Sequence, residues 1–256
     1  MKNKWFVIPK KNINADLKII CFPYAGGNSS TYISWSEKLP SNVELVIIQA
    51  PGRGTRLGET AHSNMDCLIN ELIKVAPDIL DRPYILFGHS LGSRIAFELM
   101  DKLKQLNYPL PLHFIASASS GPHKKLTKKS IYHLSDKEFI VELEKLNGTP
   151  QAVLKDKELM KLFMPLLRAD FEIADNYNYT GNTIFNCPIS VLGGEDDMNI
   201  SHANLNSWGE FFTMNANIYL LPGNHFFIDS HKEMVIEKVN GIIQSTLQKL
   251  RLAIDS

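Results

Sequence analysis

Ser90 is the residue of this chain whose type and setting most clearly indicate chemistry. It lies between Gly88 and Gly92 in the stretch YILFGHSLGSR, residues 84–94, after an apolar run and before a segment with helical spacing. The pattern G-x-S-x-G between a strand and a helix is typical of a nucleophilic serine on a sharp turn, with its hydroxyl exposed at the helix N-terminus. The alternative is that Ser90 only fills a tight turn.

A nucleophilic serine needs a base, and the base needs a group that orients it. On a parallel sheet with such a turn, the acid and then the histidine follow the serine, each in a loop after a later strand. The loop after the apolar run 188–194 contains Asp197, and the loop after the run 217–221 contains His225. The sequence therefore predicts Ser90 as nucleophile, His225 as base and Asp197 as the orienting acid.

Neighbouring residues compete for two of these roles. Glu195 and Asp196 directly precede Asp197, and only one of the three carboxylates can reach the imidazole. Asp197 is preferred, and Asp196 remains the alternative. His89 adjoins Ser90, but the turn should direct its side chain away from the serine hydroxyl, which favours a packing role. The other histidines fit no position in the expected order.

Two backbone N–H groups are candidates for stabilising the oxyanion of an acyl-transfer intermediate, which needs such donors. One is that of Leu91, directly after Ser90, and the other is that of Ala25, in the loop after the first apolar run. Gly26 and Gly27 follow Ala25 and permit the backbone to turn tightly there. A glycine turn without function is the alternative for this loop.

The elements that position these residues follow from the apolar runs. Six short runs indicate strands, and their nearly continuous apolar character is typical of parallel strands covered on both faces. Helix-length segments separate most of them, which predicts an α/β fold with a mostly parallel central sheet flanked by helices. We expect a single domain over residues 1–256. The runs are residues 17–22, 44–50, 84–88, 113–117, 188–194 and 217–221.

The alternation of strand and helix is interrupted by a helical segment over about residues 120–180. Ser135 and Glu138 form a capping-box pattern at the start of one of its helices. A helical insertion of this kind favours a lid, and five of its apolar residues could supply adaptable surface for a substrate. The alternative is that they only pack the helices together. These residues are Met160, Phe163, Met164, Leu167 and Phe171.

The composition limits the classes of partner. Lys+Arg 27 balances Asp+Glu 27, so the net charge gives no indication of a nucleic acid or a membrane as partner. The chain has three widely spaced cysteines, no apolar run long enough to span a bilayer and no signal-peptide core. These features predict a cytoplasmic protein.

No cofactor or metal is indicated by the motifs. The segment PGRGTRLG, residues 51–58, looks like a phosphate-binding loop, but Leu57 occupies the position of the third glycine of G-x-G-x-x-G. The histidines and cysteines show neither H-E-x-x-H nor C-x-x-C spacing.

Several motifs in order resemble the type II thioesterases, which are stand-alone α/β-hydrolases that serve nonribosomal peptide and polyketide synthetases. They include ICFPYAGGNSSTYISW, FGHSLGSRIAFEL, LLRADFEIADNYNY, LGGEDD and PGNHFF, between about residues 17 and 245. The resemblance implies an α/β-hydrolase fold with a helical lid and a triad of Ser90, Asp197 and His225. It also implies hydrolysis of unwanted acyl groups from the phosphopantetheine arm of acyl or peptidyl carrier proteins.

Two residues depart from this family pattern. Tyr24 stands where the family usually has histidine, and Met198 where proline commonly follows the acid. A lysine-rich segment could attract acidic carrier proteins, although a solvated lysine-rich loop is the alternative. Its lysines are Lys124, Lys125, Lys128 and Lys129. The competing functions are a chain-releasing acyl-carrier-protein thioesterase, a carboxylesterase and a catalytically inactive binding protein.

Overall fold

The sheet forms the centre of the molecule. The computed structural model describes residues 3–125, 129–149 and 151–254. Within them, seven strands form one sheet in the order β1-β3-β2-β4-β5-β6-β7, with β1 antiparallel to β3 and all other neighbours parallel. The strands are β1 (Phe6–Val7), β2 (Leu17–Phe22), β3 (Val43–Ile48), β4 (Tyr84–His89), β5 (His113–Ser117), β6 (Ile189–Gly194) and β7 (Asn217–Leu221).

Helices cover both faces of this sheet. The α-helices are α1 (Ser30–Ile33), α2 (Met65–Val75), α3 (Leu91–Gln105), α4 (Asp136–Leu146), α5 (Gln151–Lys155), α6 (Lys157–Asn176), α7 (His202–Asn206), α8 (Phe227–Ser230) and α9 (Lys232–Ile254). Short 3-10 helices occur at Ser34–Glu37, Gly54–Arg56, Ala76–Asp78 and Ser207–Phe211. Among the described helices, none is long and apolar enough to cross a membrane.

The alternation of side chains along each strand divides the core into two layers. Ile20 and Phe22 of β2 pack with α2 and α3 on one face, whereas Ile19 and Cys21 pack with α9 on the other. Every residue of β2 to β6 is buried, because both faces are covered. The six predicted strands are thus confirmed to within two residues at each end. The two-residue strand β1 was not predicted, because its run is too short to show a period.

A helical insertion, residues 118–188, connects β5 to β6 and contains α4, α5 and α6. The predicted capping box is present at α4, where Ser135 accepts from the Glu138 N–H and the Glu138 carboxylate accepts from the Ser135 N–H. The insertion has its own apolar core, separate from the two layers at the sheet. That core is formed by Ile131, Phe139, Leu143, Leu154, Met160 and Leu167.

Arg94 of α3 holds the start of the insertion against the sheet. Its guanidinium is fully buried and donates to the hydroxyls of Ser119 and Ser120 and to the carbonyls of Pro122 and Lys124. Burial lowers the pKa of Arg94 to about 10, so the group stays charged at neutral pH. Four acceptors therefore fix the chain where it leaves β5.

We expect His113 to make the stability of the fold depend on pH. Burial lowers the pKa of this imidazole from 6.5 to about 4, while its Nε2 lies 2.9 Å from Ser190 Oγ. The unfolded chain binds a proton at this imidazole more readily than the folded chain does. The contribution of neutral His113 to the unfolding free energy is therefore complete above pH 6.5 and is lost as the pH falls toward about 4. One such group changes the unfolding free energy by at most about 1.4 kcal/mol per pH unit.

Urea unfolding of wild type and His113→Gln between pH 7 and pH 4.5 measures this contribution. The glutamine can keep a hydrogen bond to Ser190 but does not titrate. As the pH falls from 7 to 4.5, the unfolding free energy of wild type should decrease more than that of the variant. Parallel curves would show that His113 is not a source of the dependence.

Candidate active site

The turn at Ser90 has the strained geometry that exposes a nucleophile. Ser90 has φ 54° and ψ −118°, an unusual conformation for a residue with a side chain, and it lies between β4 and α3. Its N–H donates to the Ser117 carbonyl at 2.7 Å. A Cβ on Gly88 would overlap the backbone of Gly92, and a Cβ on Gly92 would overlap the Phe22 carbonyl. Both glycines are therefore required by close backbone approach.

The three residues predicted as a triad lie in one hydrogen-bonded chain. His225 Nε2 is 2.9 Å from Ser90 Oγ, and His225 Nδ1 is 2.7 Å from Asp197 Oδ2. A carboxylate can only accept, so Nδ1 carries the proton and Nε2 is free to accept from the serine hydroxyl. The histidine side chain is 17% exposed and that of Asp197 is 1% exposed. This arrangement can transfer a proton from Ser90 to His225 beside a buried negative charge.

Asp197, and not Asp196, is the carboxylate that contacts the imidazole. Its second oxygen accepts from the N–H groups of Asn199 at 2.9 Å and Ile200 at 3.3 Å, which fixes the side chain toward His225. Asp196 is exposed and its N–H donates to the Gly223 carbonyl. Met198, at the position where proline is common, is 87% exposed and disturbs none of these contacts.

The two amides predicted for oxyanion stabilisation line the same cavity as Ser90 and His225. They belong to Ala25, after β2, and to Leu91, the first residue of α3. In the described part of the chain, neither N–H donates to a protein acceptor. Both amides are therefore available to an oxygen bound beside Ser90, with the N-terminus of α3 adding a favourable dipole.

The cavity above Ser90 has a volume of about 230 Å³ and is closed on one side by the helical insertion. Of the five insertion residues predicted to contact substrate, Leu167 and Phe171 line it. Met160, Phe163 and Met164 do not line the cavity but pack in the core of the insertion. Sequence periodicity cannot separate these sets, because all five lie on apolar faces of α6. Lining residues that the sequence did not indicate include Ile131, Leu143, Leu146, Gly148, Ile200 and Phe226.

Comparison with known proteins establishes the family. Residues 17–243 match the thioesterase domain family. The chain belongs to the thioesterase family. It is accordingly a hydrolase that acts on thioesters, as the sequence predicts.

Relatives of this thioesterase include a gramicidin S biosynthesis protein, a fatty acid synthase thioesterase and a type II thioesterase of a biosynthetic cluster. It is 36% identical over 235 residues to the gramicidin S biosynthesis protein GrsT of Aneurinibacillus migulanus, with 92% of each chain covered. It is 32% identical to the medium-chain S-acyl fatty acid synthase thioesterase of Homo sapiens, covering 89% of this chain and 87% of that one. The type II thioesterase BorB from the borrelidin biosynthetic cluster has a TM-score of 0.85 at 29% identity, over 96% of this chain and 99% of BorB. The predicted α/β-hydrolase fold is thereby confirmed.

Tyr24 packs at the cavity of this thioesterase without contacting the triad by hydrogen bonds. Its hydroxyl donates to Asp229 Oδ2 at 2.9 Å, and its ring meets those of His89 and Phe226 edge to face. Burial, together with the charge of Asp229, raises the pKa of Tyr24 well above its ordinary value, so the phenol stays neutral. The departure from histidine therefore changes the cavity wall next to His225.

His89 points away from Ser90 Oγ, as expected, but it does more than pack. Its Nε2 lies 2.9 Å from the carbonyl of His225, and its Nδ1 lies 2.9 Å from Ser117 Oγ. Since a carbonyl only accepts, Nε2 carries the proton and Nδ1 accepts from Ser117. Burial lowers the pKa of His89 well below its usual value, which keeps it neutral. This buried imidazole ties the backbone of His225 to β5.

A larger cavity of about 780 Å³ lies beside β7 and α9 of this thioesterase. It is lined by residues near the starts of the last three strands, among them His113, Ser190 and Asn217. None of Ser90, Asp197 and His225 lines this cavity. The smaller cavity is the candidate active site.

Proposed function

We propose that this thioesterase hydrolyses aberrant or stalled acyl groups from the phosphopantetheine thiol of carrier proteins in nonribosomal peptide or polyketide biosynthesis. The observation that carries the proposal is the hydrogen-bonded chain Ser90–His225–Asp197 at the base of a narrow cavity. The likeness to GrsT and to the type II thioesterase BorB supports the biosynthetic setting.

The first half of the proposed reaction transfers the acyl group to the enzyme. His225 Nε2 takes the proton of Ser90, and Oγ attacks the thioester carbonyl to form a tetrahedral intermediate. The N–H groups of Ala25 and Leu91 donate to its oxyanion, and Asp197 stabilises the imidazolium. Collapse of the intermediate breaks the C–S bond and leaves the acyl group on Ser90.

The second half releases the acid. A thiol has a pKa near 8.5, far below that of an alcohol, so the carrier departs as a thiolate with little help from a general acid. The thiolate then takes the proton that His225 received from Ser90, which leaves a free thiol and returns the imidazole to its neutral form. A water molecule then gives its proton to His225 and attacks the acyl-Ser90 ester, and Ser90 recovers its proton when that ester bond breaks. The net reaction consumes one water and yields a carboxylic acid and a free thiol.

Three substrates with the same acyl group test the proposal. An acyl carrier protein thioester, an N-acetylcysteamine thioester and an ethyl ester should be hydrolysed in that order of decreasing kcat/KM. Equal rates on the thioesters and the oxygen ester would instead favour a carboxylesterase. An absence of turnover together with no labelling by a fluorophosphonate would favour a catalytically inactive binding protein.

A chain-releasing thioesterase is the second candidate, favoured by the 32% identity to the human medium-chain fatty acid synthase thioesterase. The two functions differ in the acyl group preferred. The cavity beside Ser90, of about 230 Å³, limits the length of the acyl group, so chain-length preference distinguishes the candidates. Acetyl, butyryl, octanoyl and dodecanoyl thioesters of one carrier protein separate the candidates.

We expect Phe171→Ala to shift this ranking toward longer chains. Phe171 lines the cavity, and its ring meets that of Phe139 at 5.7 Å, so truncation lengthens the acyl-binding space. The ratio of kcat/KM for octanoyl to that for acetyl thioester should rise about tenfold or more, since each methylene is worth roughly 1–3 kcal/mol.

Met164→Ala is the matched control for this variant. Met164 is half-buried on the same helix but packs in the core of the insertion. It should slow all chain lengths by one factor or none. If both variants change the ranking alike, Phe171 acts through the packing of the insertion and not through the cavity.

The carrier protein is part of the proposal, and the basic residues near the cavity support it. Lys129 and Lys145 line the cavity, and both pair with Glu142, at 3.0 and 3.1 Å. Lys124 and Lys125 are exposed, whereas Lys128 lies outside the described residues. Charge of this kind accelerates association with an acidic partner and is screened by salt.

We expect changing Lys124, Lys125 and Lys129 to glutamate to lower kcat/KM severalfold for the carrier protein thioester at low salt. The effect should diminish at high salt and be several times smaller for the N-acetylcysteamine thioester, on which only Lys129, at the cavity, can act. Three exposed lysines that do not line the cavity provide a control with the same change of charge: Lys10, Lys11 and Lys249. An equal loss in both triple variants would indicate net charge alone.

We also propose that the chain is a single domain in which the helical insertion acts as a lid. The support is that residues of the insertion, among them Leu167 and Phe171, line the cavity beside Ser90. A cytoplasmic location belongs to the same proposal and is supported by three free cysteines, Cys21, Cys67 and Cys187.

A further inference from the structure

Asp170 of α6 connects the helical insertion to the loop that carries Ala25. Its side chain is buried, and its Oδ2 accepts from the Gly26 N–H at 2.7 Å. Its Oδ1 accepts from Arg53 Nη2 at 2.8 Å. Arg53 comes from the segment PGRGTRLG, which has no nucleotide-binding pattern, and its Nη1 donates to the Gly27 carbonyl at 3.2 Å. One buried ion pair thus binds both the Gly26 N–H and the Gly27 carbonyl of this loop.

The loop held by this pair is a β-turn whose central peptide could rotate. The Gly27 N–H donates to the Tyr24 carbonyl at 2.8 Å, and Gly26 has φ +74° while Ala25 does not have a positive φ. This is a type II turn, which differs from type I mainly by rotation of the peptide between Ala25 and Gly26. The hydrogen bond from Gly26 N–H to Asp170 fixes that peptide and anchors the turn one residue after the Ala25 N–H, which belongs to the preceding peptide.

The ion pair is poorly explained by stability alone. Its side chains are 9% and 3% exposed, and Arg53 Nε is buried without a hydrogen-bond partner in the described residues. The free energy needed to remove two charges from water offsets much of their mutual attraction. Proteins in which apolar residues replace a buried ion pair are therefore often as stable as the original. A buried pair that leaves one donor unsatisfied is better explained by the loop that it positions.

We propose that Asp170, held in place by Arg53, is a positioning residue. From the helical insertion, it fixes the position of the loop whose Ala25 N–H binds the oxyanion. The inference rests on the proposed function, because it assigns the Ala25 N–H to the oxyanion. Since Asp170 belongs to α6, the oxyanion site is complete only when the insertion is seated on the turn. Leu167 of the same helix also lies against Gly26 and supports this coupling.

The test is a comparison of Asp170→Ala and Asp170→Asn with wild type. Two quantities are measured for each: kcat and KM on an N-acetylcysteamine thioester, and the Ki of an acyl trifluoromethyl ketone. Ser90 Oγ adds to the ketone carbonyl and forms an oxyanion, so the Ki of the ketone measures how well the oxyanion is bound. Loss of one oxyanion donor lowers kcat by roughly 10²–10³-fold in a serine hydrolase. Asp170→Ala should lower kcat by about 10²-fold and raise Ki by the same factor, with KM nearly unchanged.

Asp170→Asn keeps an oxygen that can accept from Gly26 N–H and should lose much less activity than Asp170→Ala. Arg168→Met is the matched control, since Arg168 of α6 pairs with Asp136 within the insertion at 2.6 Å and contacts none of the turn. It should lower the melting temperature and leave kcat and Ki within about threefold of wild type. A double variant, Arg53→Met with Asp170→Leu, should melt near wild type but have the low kcat.

Two results would overturn the inference. One is that Asp170→Ala lowers the melting temperature while kcat and Ki stay within threefold of wild type. The other is that kcat falls but Ki does not, which places the defect outside the oxyanion site. The reaction of Ser90 with a fluorophosphonate requires no carrier protein and uses the same donors. Its rate therefore tests Asp170 even if the proposed thioester substrate is incorrect.

Discussion

Replacing Ser90 by alanine is expected to lower kcat of thioester hydrolysis by about 10⁴-fold or more, because a catalytic triad acts as a unit. The hydroxyl lies 2.9 Å from His225 Nε2 on a turn with φ 54°, so a base can activate it, and Ser90 lines the cavity. Without it, no acyl-enzyme can form, and only water could attack the thioester. The measurement is steady-state hydrolysis of an acyl carrier protein thioester by the purified variant.

The variant should otherwise resemble wild type. Alanine removes one hydroxyl from a half-buried site, so the melting temperature should change little and the acyl carrier protein should still bind. Labelling by a fluorophosphonate should be lost, and in wild type the label should map to the peptide that contains Ser90. Retention of more than a tenth of wild-type kcat would remove Ser90 from the mechanism.

Replacing Asp197 by asparagine is expected to lower kcat by about 10⁴-fold, as seen for the corresponding change in a well-studied serine protease. The carboxylate accepts from His225 Nδ1 at 2.7 Å and thereby keeps Nε2 free to take the proton of Ser90. An asparagine amide can donate to Nδ1 instead, which places the imidazole proton on Nε2, facing the serine. KM should change less than kcat, because Asp197 contacts His225 and not the cavity.

Asp196→Asn is the matched control, since it makes the same chemical change one residue earlier. Asp196 is exposed, and its side chain has no contact with His225 in the described structure. Its kcat should stay within about threefold of wild type, in keeping with a surface change away from the reacting groups. The opposite order of effects would transfer the role of orienting acid to Asp196.

Much of the fold and the order of the candidate triad could be predicted because they depend on local patterns. Strands β2 to β7 are short apolar runs between helix-length segments, and burial on both faces makes the runs of β2 to β6 distinct. Gly88 and Gly92 mark the turn at Ser90, since only glycine permits the backbone contacts that the turn requires. The loops that contain Asp197 and His225 follow from strand order, because the carboxyl ends of parallel strands meet at one edge of the sheet.

What only the tertiary structure decided is which side chains face one another across these loops. Asp196 and Asp197 are alike in sequence, but the N–H groups of Asn199 and Ile200 hold one carboxylate toward His225. On α6, helical period alone did not separate Phe171, at the cavity, from Met164, in the core of the insertion. The contacts of α6 with the rest of the chain determine which of these side chains lies at the cavity.

The pairing of Arg53 with Asp170 was equally hidden, because 117 residues separate the two along the chain. Nothing near either residue indicates its partner: one follows β3 in a glycine-rich segment, and the other lies inside a helix. Local propensity and spacing act over a few residues, whereas this contact depends on how the helical insertion is seated on the sheet. The sequence by itself thus determined which residues are the candidate nucleophile and base and which segments form six of the strands. The folded chain alone placed Asp197 beside His225, formed the cavity wall and brought Asp170 to the loop that contains Ala25.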